Sequence, residues 1–346
     1  LLFTSSVLGK LVLPPPSGSY AVLHSSLKLT DHDRTDPYDP NHGKRNTMIS
    51  LYYPIPHASC PRTCVTPYMP PTTASFVDAY ASQFGAPNGT FGSIQMQVCC
   101  NTTSPASAST NVAQYPLVLF SPGLGATRLL YSALAQRLAS EGYAVATMDH
   151  PFETMVVEYP DGSFTPGLNE SYWLDPSAPD RLEHLLDVRV QDSQFVLSQL
   201  GRKAVAQALV PGATCGFNVH RAAFFGHSFG GATAVAAAMR DARIAGAFNM
   251  DGNQHGRLTD TAKPVVLFGR AAPDAHNRTT EATWRDAWAH LKGWKRELGL
   301  KDSGHNSFGD IPLLIKLGGV AIPAQAQLVL IGGADGGRTF EVVARY

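Results

Sequence analysis

The run Phe225-Gly226-His227-Ser228-Phe229-Gly230-Gly231 sets one serine between two glycines, after the apolar stretch Arg221–Phe225 and before the alanine-rich stretch Ala232–Ala238. This is the pattern of a nucleophile elbow, in which a strand turns sharply into a helix and holds a hydroxyl clear of the backbone. Residues two positions to either side must be small to clear strand and helix, and Gly226 and Gly230 meet that need. The chemistry this permits is attack on a carbonyl carbon, with the helix N-terminus aiming its dipole and free N–H groups at the developing oxyanion. Five letters of G-x-S-x-G are weak alone; the strand before and the helix after make Ser228 the candidate nucleophile.

A serine hydroxyl attacks poorly until a histidine takes its proton, and the imidazole needs a carboxylate to fix its tautomer and stabilise its charge. On an elbow of this kind the chain order is Ser, acid, His. The histidines at useful distance downstream are His255, His276, His290 and His305. His255 lies only four residues past Asp251, His290 falls inside an expected helix, and His276 reads as a solvated loop residue after an earlier strand. His305, in Gly304-His305-Asn306 beyond the last expected strand, is the candidate base. Two acids compete on architecture alone: Asp251 ends the strand Ile244–Met250, and Asp274 follows the strand Pro264–Phe268.

Positioning these groups requires strands that deliver them to one edge. Apolar runs of strand length at Tyr115–Ser121, Tyr143–Met148, Arg221–Phe225, Ile244–Met250, Pro264–Phe268 and near Glu297–Leu300 alternate with helical periodicity at Arg128–Glu141, Arg181–Leu200 and Glu281–Leu298. Such alternation predicts βαβ units and a mostly parallel central sheet flanked by helices. Met48–Tyr53 is expected as an outer antiparallel strand. We read residues 1–346 as one domain with two decorations. The first, 54–114, carries cysteines and sequons, and no formal charge stands between Asp78 and Arg128. The second, 151–180, is a long connection with Phe152, Tyr159, Phe164, Tyr172 and Trp173, read as a pocket lip.

Charged residues make up 16% of the chain, below the usual ~25%, and hydrophobic residues 44%, which together exclude a disordered polymer. Lys plus Arg number 27 and Asp plus Glu 27, so there is no basic footprint for nucleic acid. No apolar run approaches the ~18 residues of a transmembrane segment. The sequons at Asn88, Asn101, Asn169 and Asn277 are glycosylation candidates. Cys60 and Cys64 form one cluster and Cys99 and Cys100 another, with no clustered histidine to complete a zinc site. A vicinal Cys99–Cys100 bridge is strained, so two bridges between the clusters are expected, in either pairing, with Cys215 left as a buried free thiol. Sequons and bridges together predict a secreted, extracellular protein. Leu1–Leu13 lacks the marks of a signal peptide, and any such leader is expected to have been removed. That segment is expected to pack on the body, or to touch a lipid interface transiently. Asp31–Asp39 superficially matches a calcium loop but lacks its glycine, and reads as a solvated turn. Ile331–Gly337 reads as a helix boundary. The scattered histidines show no metalloenzyme spacing, so no metal and no cofactor is expected.

The chain resembles the platelet-activating factor acetylhydrolase family of the plasma and isoform II type, α/β-hydrolases that act as serine esterases. Phe120-Ser121-Pro122-Gly123-Leu124-Gly125 with Arg128 and Tyr131-Ser132 is similar to the family's oxyanion strand-turn, and Gly226–Ala232 to its elbow, within a likeness spanning roughly Leu13–Asp310. The resemblance implies the α/β-hydrolase fold, Asp251 as the acid, His305 as the base, and oxyanion donors at the backbone N–H of Leu124 and Phe229. It implies a small-molecule or lipid ester substrate with a short or modified acyl group, platelet-activating-factor-like phospholipids among them. Met148-Asp149-His150-Pro151 stands where the family commonly has Glu-His-Arg, and the Cys60–Cys100 insert looks particular to this lineage. A broad carboxylesterase or polyester hydrolase is the alternative enzyme. A non-catalytic α/β-hydrolase binding protein is the alternative of another class, and such relatives usually lack a triad member.

Overall fold

Eight strands build the central sheet in the computed structural model, which describes residues 10–100 and 110–346. We number them in chain order: β1 (Tyr20–Thr35), β2 (Lys44–Pro56), β3 (Leu117–Ser121), β4 (Ala144–Met148), β5 (Ala222–His227), β6 (Ile244–Met250), β7 (Val265–Arg270) and β8 (Lys295–Leu300). Their order across the sheet is β1-β2-β4-β3-β5-β6-β7-β8. β1 runs antiparallel to β2 and β2 to β4, and all pairings from β4 to β8 are parallel. The sheet has helices on both faces, so alternate residues of one strand enter different cores. Leu119, Phe224 and Leu267 pack in one, and their neighbours Phe120, Phe225 and Phe268 in the other. This is the α/β-hydrolase fold.

The chain leaves β3 to one side and returns as β5 on the other. Such a switch point opens a crevice at the carboxyl ends of the two strands, where ligands of open α/β sheets bind. The loop after β3 and Ser228 after β5 both lie there. The helix after Ser228 runs from Phe229 to Arg240 and is buried from Phe229 to Ala238. It is apolar on all sides because the sheet covers one face and the helix Arg181–Leu200 another.

Several elements differ from the expectation. Met48–Tyr53 is part of β2, which is not the edge: the 16-residue β1 covers it. The helix expected over Glu281–Leu298 spans Ala282–His290, because the chain turns at Leu291–Gly293 so tightly that a Cβ on Gly293 would collide with the Ala262 carbonyl. β8 then starts at Lys295. Asp31–Asp39 is no solvated turn. Asp36 is buried against Arg45, whose guanidinium also holds Asp192, and Asp31 pairs with Arg34. The boundary at Ile331–Gly337 does separate two helices, Ala324–Ile331 and Gly336–Arg345.

The two bridges join the cysteine clusters as Cys60–Cys99 and Cys64–Cys100, and Cys215 is free and half-buried. They staple the strand Thr63–Pro67 to Ile94–Cys99, which pairs in turn with Leu11–Val12. Leu13 is buried beside this small sheet, so the end of the Leu1–Leu13 segment docks on the body; residues 1–9 lie outside the described residues. The insert's helix Pro71–Ala81 is tied down by Asp78, which accepts from the backbone N–H of Gly89 and Phe91, and by Thr73, whose N–H donates to Glu158. Tyr68 donates to Asp310 at 2.7 Å, fixing the insert to the segment after His305. Among the described residues, no helix is long and apolar enough to cross a membrane.

The bridges close stretches of 39 and 36 residues, and each is worth about 3–4 kcal/mol in the chain-entropy account. Reduction should therefore lower Tm by about 5 °C or more. Peptide mapping without reduction should return Cys60–Cys99 and Cys64–Cys100 with Cys215 as a thiol. An unchanged Tm, or a bridge to Cys215, contradicts this.

Candidate active site

Ser228 has φ 54 and ψ −125, a left-handed backbone that a serine adopts only when its surroundings impose it. They do so by close approach. A Cβ on Gly226 would overlap the Gly230 carbonyl, one on Gly230 would overlap the Ser121 carbonyl, and one on Gly252 would overlap that of Ser228 itself. The Ser228 N–H donates to the Met250 carbonyl at 2.7 Å, hooking the elbow to the end of β6. Asp251 follows at once, also with positive φ, and its carboxylate is fully buried.

His305 opens a short 3-10 turn after β8. Its Nε2 lies 2.9 Å from Ser228 Oγ and its Nδ1 2.6 Å from Asp251 Oδ2. Asp274 does not join this set: its side chain is 76% exposed and pairs with Arg270. Arg270 also reaches Asp251, with Nε 2.9 Å from Oδ2. Burial opposes charge on Asp251, but the hydrogen bonds from His276 and His305 outweigh it and hold the carboxyl well below the ordinary range.

His276 corrects the reading of a solvated loop residue. It is buried, with Nδ1 2.7 Å from Asp251 Oδ1 and its ring 4.4 Å from that of Trp284. Sequence spacing gave no sign of this, because the chain after β7 folds back over Gly269, where any Cβ would strike the His276 carbonyl. His276 touches the acid and His305 touches both acid and serine.

His227, inside the elbow motif, has a role that the motif does not reveal. Its Nε2 lies 2.8 Å from the His305 carbonyl, which can only accept, so Nε2 carries the proton. Nδ1 then accepts from the Tyr131 hydroxyl at 2.7 Å. Burial, with His305 adding to it, pushes His227 down to about 3, so the ring stays neutral. The Tyr131 oxygen accepts from the Gly123 N–H at 3.4 Å, which links the loop after β3 to the backbone of His305.

That loop is also held from behind. Arg189 donates to the carbonyls of Pro122 and Gly123 at 2.6 and 3.2 Å and is paired with the buried Glu153. His150 bridges Ser121 Oγ and Asp192, each at 2.9 Å. Asp149 pairs with Arg128 and accepts from its backbone N–H. The departure at Met148–Pro151 was the sequence signal for this cluster. The loop crosses Ser228 closely: a Cβ on Gly123 would sit 3.3 Å from that of Ser228. Leu124 is next in this loop, and Phe229 is the first residue of the elbow helix. Beside Leu124 and Asn306 lies a cavity of about 310 Å³, walled by Val77 and Phe84 of the insert and by Met155 and Trp173 of the 151–180 connection. Asn88 and Asn169 are exposed and Asn277 is half-buried; Asn101 lies outside the described residues.

The family model described as "Platelet-activating factor acetylhydrolase, isoform II" matches residues 8–191. A protein of Arthroderma benhamiae named "Probable 1-alkyl-2-acetylglycerophosphocholine esterase" is 34% identical over 99% of this chain and 88% of its own length. The chain belongs to the platelet-activating factor acetylhydrolase isoform II family. Members named "Platelet-activating factor acetylhydrolase" include one from Bos taurus, 27% identical over 70% of this chain and 55% of that protein. Among solved structures, a "Ferulic acid esterase" from Streptomyces cinnamoneus superposes with a TM-score of 0.72 at 28% identity, covering 98% of this chain and 91% of that one. This member of the acetylhydrolase family is thus an ester hydrolase.

A histidine held neutral by burial makes the folded state lose stability as pH falls from about 6.5 towards the folded value, because the unfolded chain takes up the proton first. His227→Gln removes that titration. The stability difference between wild type and His227→Gln should shrink by about 1.4 kcal/mol per pH unit between pH 6 and 4. Denaturant melts at a series of pH values measure it, and a pH-independent difference contradicts it.

Proposed function

We propose that the chain is a secreted serine esterase that hydrolyses short or modified acyl esters, platelet-activating-factor-like phospholipids among them, through an acyl-enzyme on Ser228. The observation that carries this is the continuous chain Ser228 Oγ, His305 Nε2, His305 Nδ1, Asp251 Oδ2, with contacts of 2.9 and 2.6 Å on a strained elbow. In this reading Ser228 Oγ attacks the ester carbonyl as its proton passes to His305 Nε2, and Asp251 stabilises the imidazolium. The oxyanion accepts from the backbone N–H of Leu124 and Phe229. Collapse expels the alcohol, which takes the proton from His305. Water then repeats the sequence on the acyl-serine, returning the acid and free Ser228.

The names of the relatives support the substrate class, and secretion is supported by the two bridges and by exposed sequons at Asn88 and Asn169. A broader carboxylesterase is a second reading, favoured by the cavity. About 310 Å³ falls at the low end of the ~300–1,000 Å³ that holds drug-sized ligands, and an acetyl group needs far less.

Ser228→Ala should abolish ester hydrolysis and fluorophosphonate labelling without changing Tm, with a loss of several powers of ten in rate. Asp251→Asn should cost about 10⁴ in kcat and Asp274→Asn little, since the triad acid holds the productive tautomer. Turnover by folded Ser228→Ala sinks the mechanism, and reversed effects at the acids would move that role to Asp274. Across acetyl, butyryl, octanoyl and palmitoyl esters on one head group, kcat/KM should peak at the short end. Ala81→Trp, which fills the cavity from the insert side, should cost the larger esters about tenfold and spare acetyl. A maximum at palmitoyl defeats the short-acyl reading.

A further inference from the structure

We infer that His276 is a positioning residue for this reaction: by binding the Asp251 oxygen that His305 leaves free, it fixes the carboxylate and sets how readily His305 takes a proton. The inference rests on the serine-esterase reading above and adds to it a group outside the Ser228–His305–Asp251 chain.

The two oxygens of Asp251 are divided between two imidazoles. Oδ2 lies 2.6 Å from His305 Nδ1 and Oδ1 2.7 Å from His276 Nδ1, while Arg270 Nε approaches both at 2.9 and 3.2 Å. A carboxylate only accepts, so each histidine presents Nδ1–H to it. The carboxylate has no exposed surface, and its backbone φ is 56, so its orientation depends on these partners.

His276 makes no sense as packing alone. Its ring lies against Trp284 and its backbone N–H donates to the Arg270 carbonyl, contacts that phenylalanine would keep. Its Nε2 is buried and finds no hydrogen-bond partner among the described residues. Burying an unsatisfied nitrogen costs free energy that a phenyl ring avoids. Among the described residues, the one polar contact its ring makes is with Asp251, and that contact is what the imidazole supplies. Trp284 Nε1 donates to the Gly252 carbonyl at 2.6 Å, so the ring that backs His276 also braces the residue after Asp251.

Among the described residues, few titratable or charged groups face His305 and its carboxylate partner. Facing its ring are Ser228, Asp251 and His227, whose ring centroid is 4.7 Å away. Facing Asp251 are His305, His276 and Arg270, and Arg270 is shared with Asp274. Each donor on Asp251 draws off negative charge that would otherwise stabilise the imidazolium. Removing His276 therefore makes His305 capture a proton at higher pH and frees the carboxylate to rotate. Neither effect bears on substrate binding.

The test compares His276→Phe, which keeps the ring and removes the donor, with His276→Asn, whose amide N–H can stand at the Nδ1 position. In His276→Phe, kcat should fall about tenfold at near-constant KM, and the acid limb of kcat/KM should move up by about 0.5–1 pH unit. In His276→Asn the limb should return to the wild-type position. A folded His276→Phe whose limb has not moved overturns the inference, as does an Asn variant whose limb matches Phe. If His276→Phe does not fold, nitrogen NMR of histidine-labelled wild type decides: His276 must carry its proton on Nδ1, and a bare Nδ1 overturns it. Fluorophosphonate labelling separates the two levels. Unlabelled wild-type protein brings down the esterase reading with this inference, whereas labelled protein with an unmoved limb brings down the inference alone.

Discussion

The close approach of three backbones at Ser228 is the constraint on which the rest depends. β3, β5 and β6 end side by side, and the chain must turn between them with no room for side chains at Gly226, Gly230 or Gly252. Only that crowding keeps Ser228 at positive φ, and only that conformation turns its hydroxyl outward while the N-terminus of the elbow helix points at the same spot. The N–H of Ser228 on the Met250 carbonyl then sets where Asp251 begins. Ser228 and Asp251 are thus fixed relative to each other by main chain, and His305 reaches them from a separate loop.

His305 and the loop after β3 need a different kind of restraint, because loops carry no ladder of their own. Here it is polar and buried. Arg189 grips the carbonyls of Pro122 and Gly123, and Asp192 takes Arg45, Arg34 and His150 together. Burial raises the cost of charge on Asp192, yet Arg45 and the hydrogen bond from His150 hold its carboxyl far below the ordinary range. Replacing such pairs with apolar side chains is often neutral for stability, so their use here fits specificity of geometry better than stability. Directional contacts fix a carbonyl in space, which packing of leucines would not.

What could be read from the sequence follows the range of the interactions. The elbow was legible because its strand, glycines and helix are contiguous. The parallel strands were legible because burial on both faces makes near-continuous apolar runs. β1 escaped because its burial is partial along most of its length, and such a strand gives little contrast between faces. His276, the buried Asp36 and the Tyr131–His227 link escaped for a common reason. Each is polar, each is buried by a partner 9 to 96 residues away, and polarity in a sequence reads as exposure unless the partner is known. The choice between Asp251 and Asp274 was open on architecture for the same cause, since Arg270 occupies Asp274 in space and not in sequence.

The insert shows how a segment almost without charge is made to hold a position. Its described residues make no ion pair, and its helix Pro71–Ala81 is short, below the length at which helices are stable in water unaided. Order comes from outside the helix. The two bridges pin its flanking strands, Asp78 closes its following loop, and Tyr68 and Thr73 fasten it to Asp310 and Glu158. Asp310 also accepts from the N–H groups of Ala133 and Leu134 at the start of the helix behind the loop after β3. The same carboxyl thereby anchors the insert, that helix and the chain just past His305. The part of the insert that leads into the cavity wall and the segment that follows His305 are thus tied at one buried carboxyl.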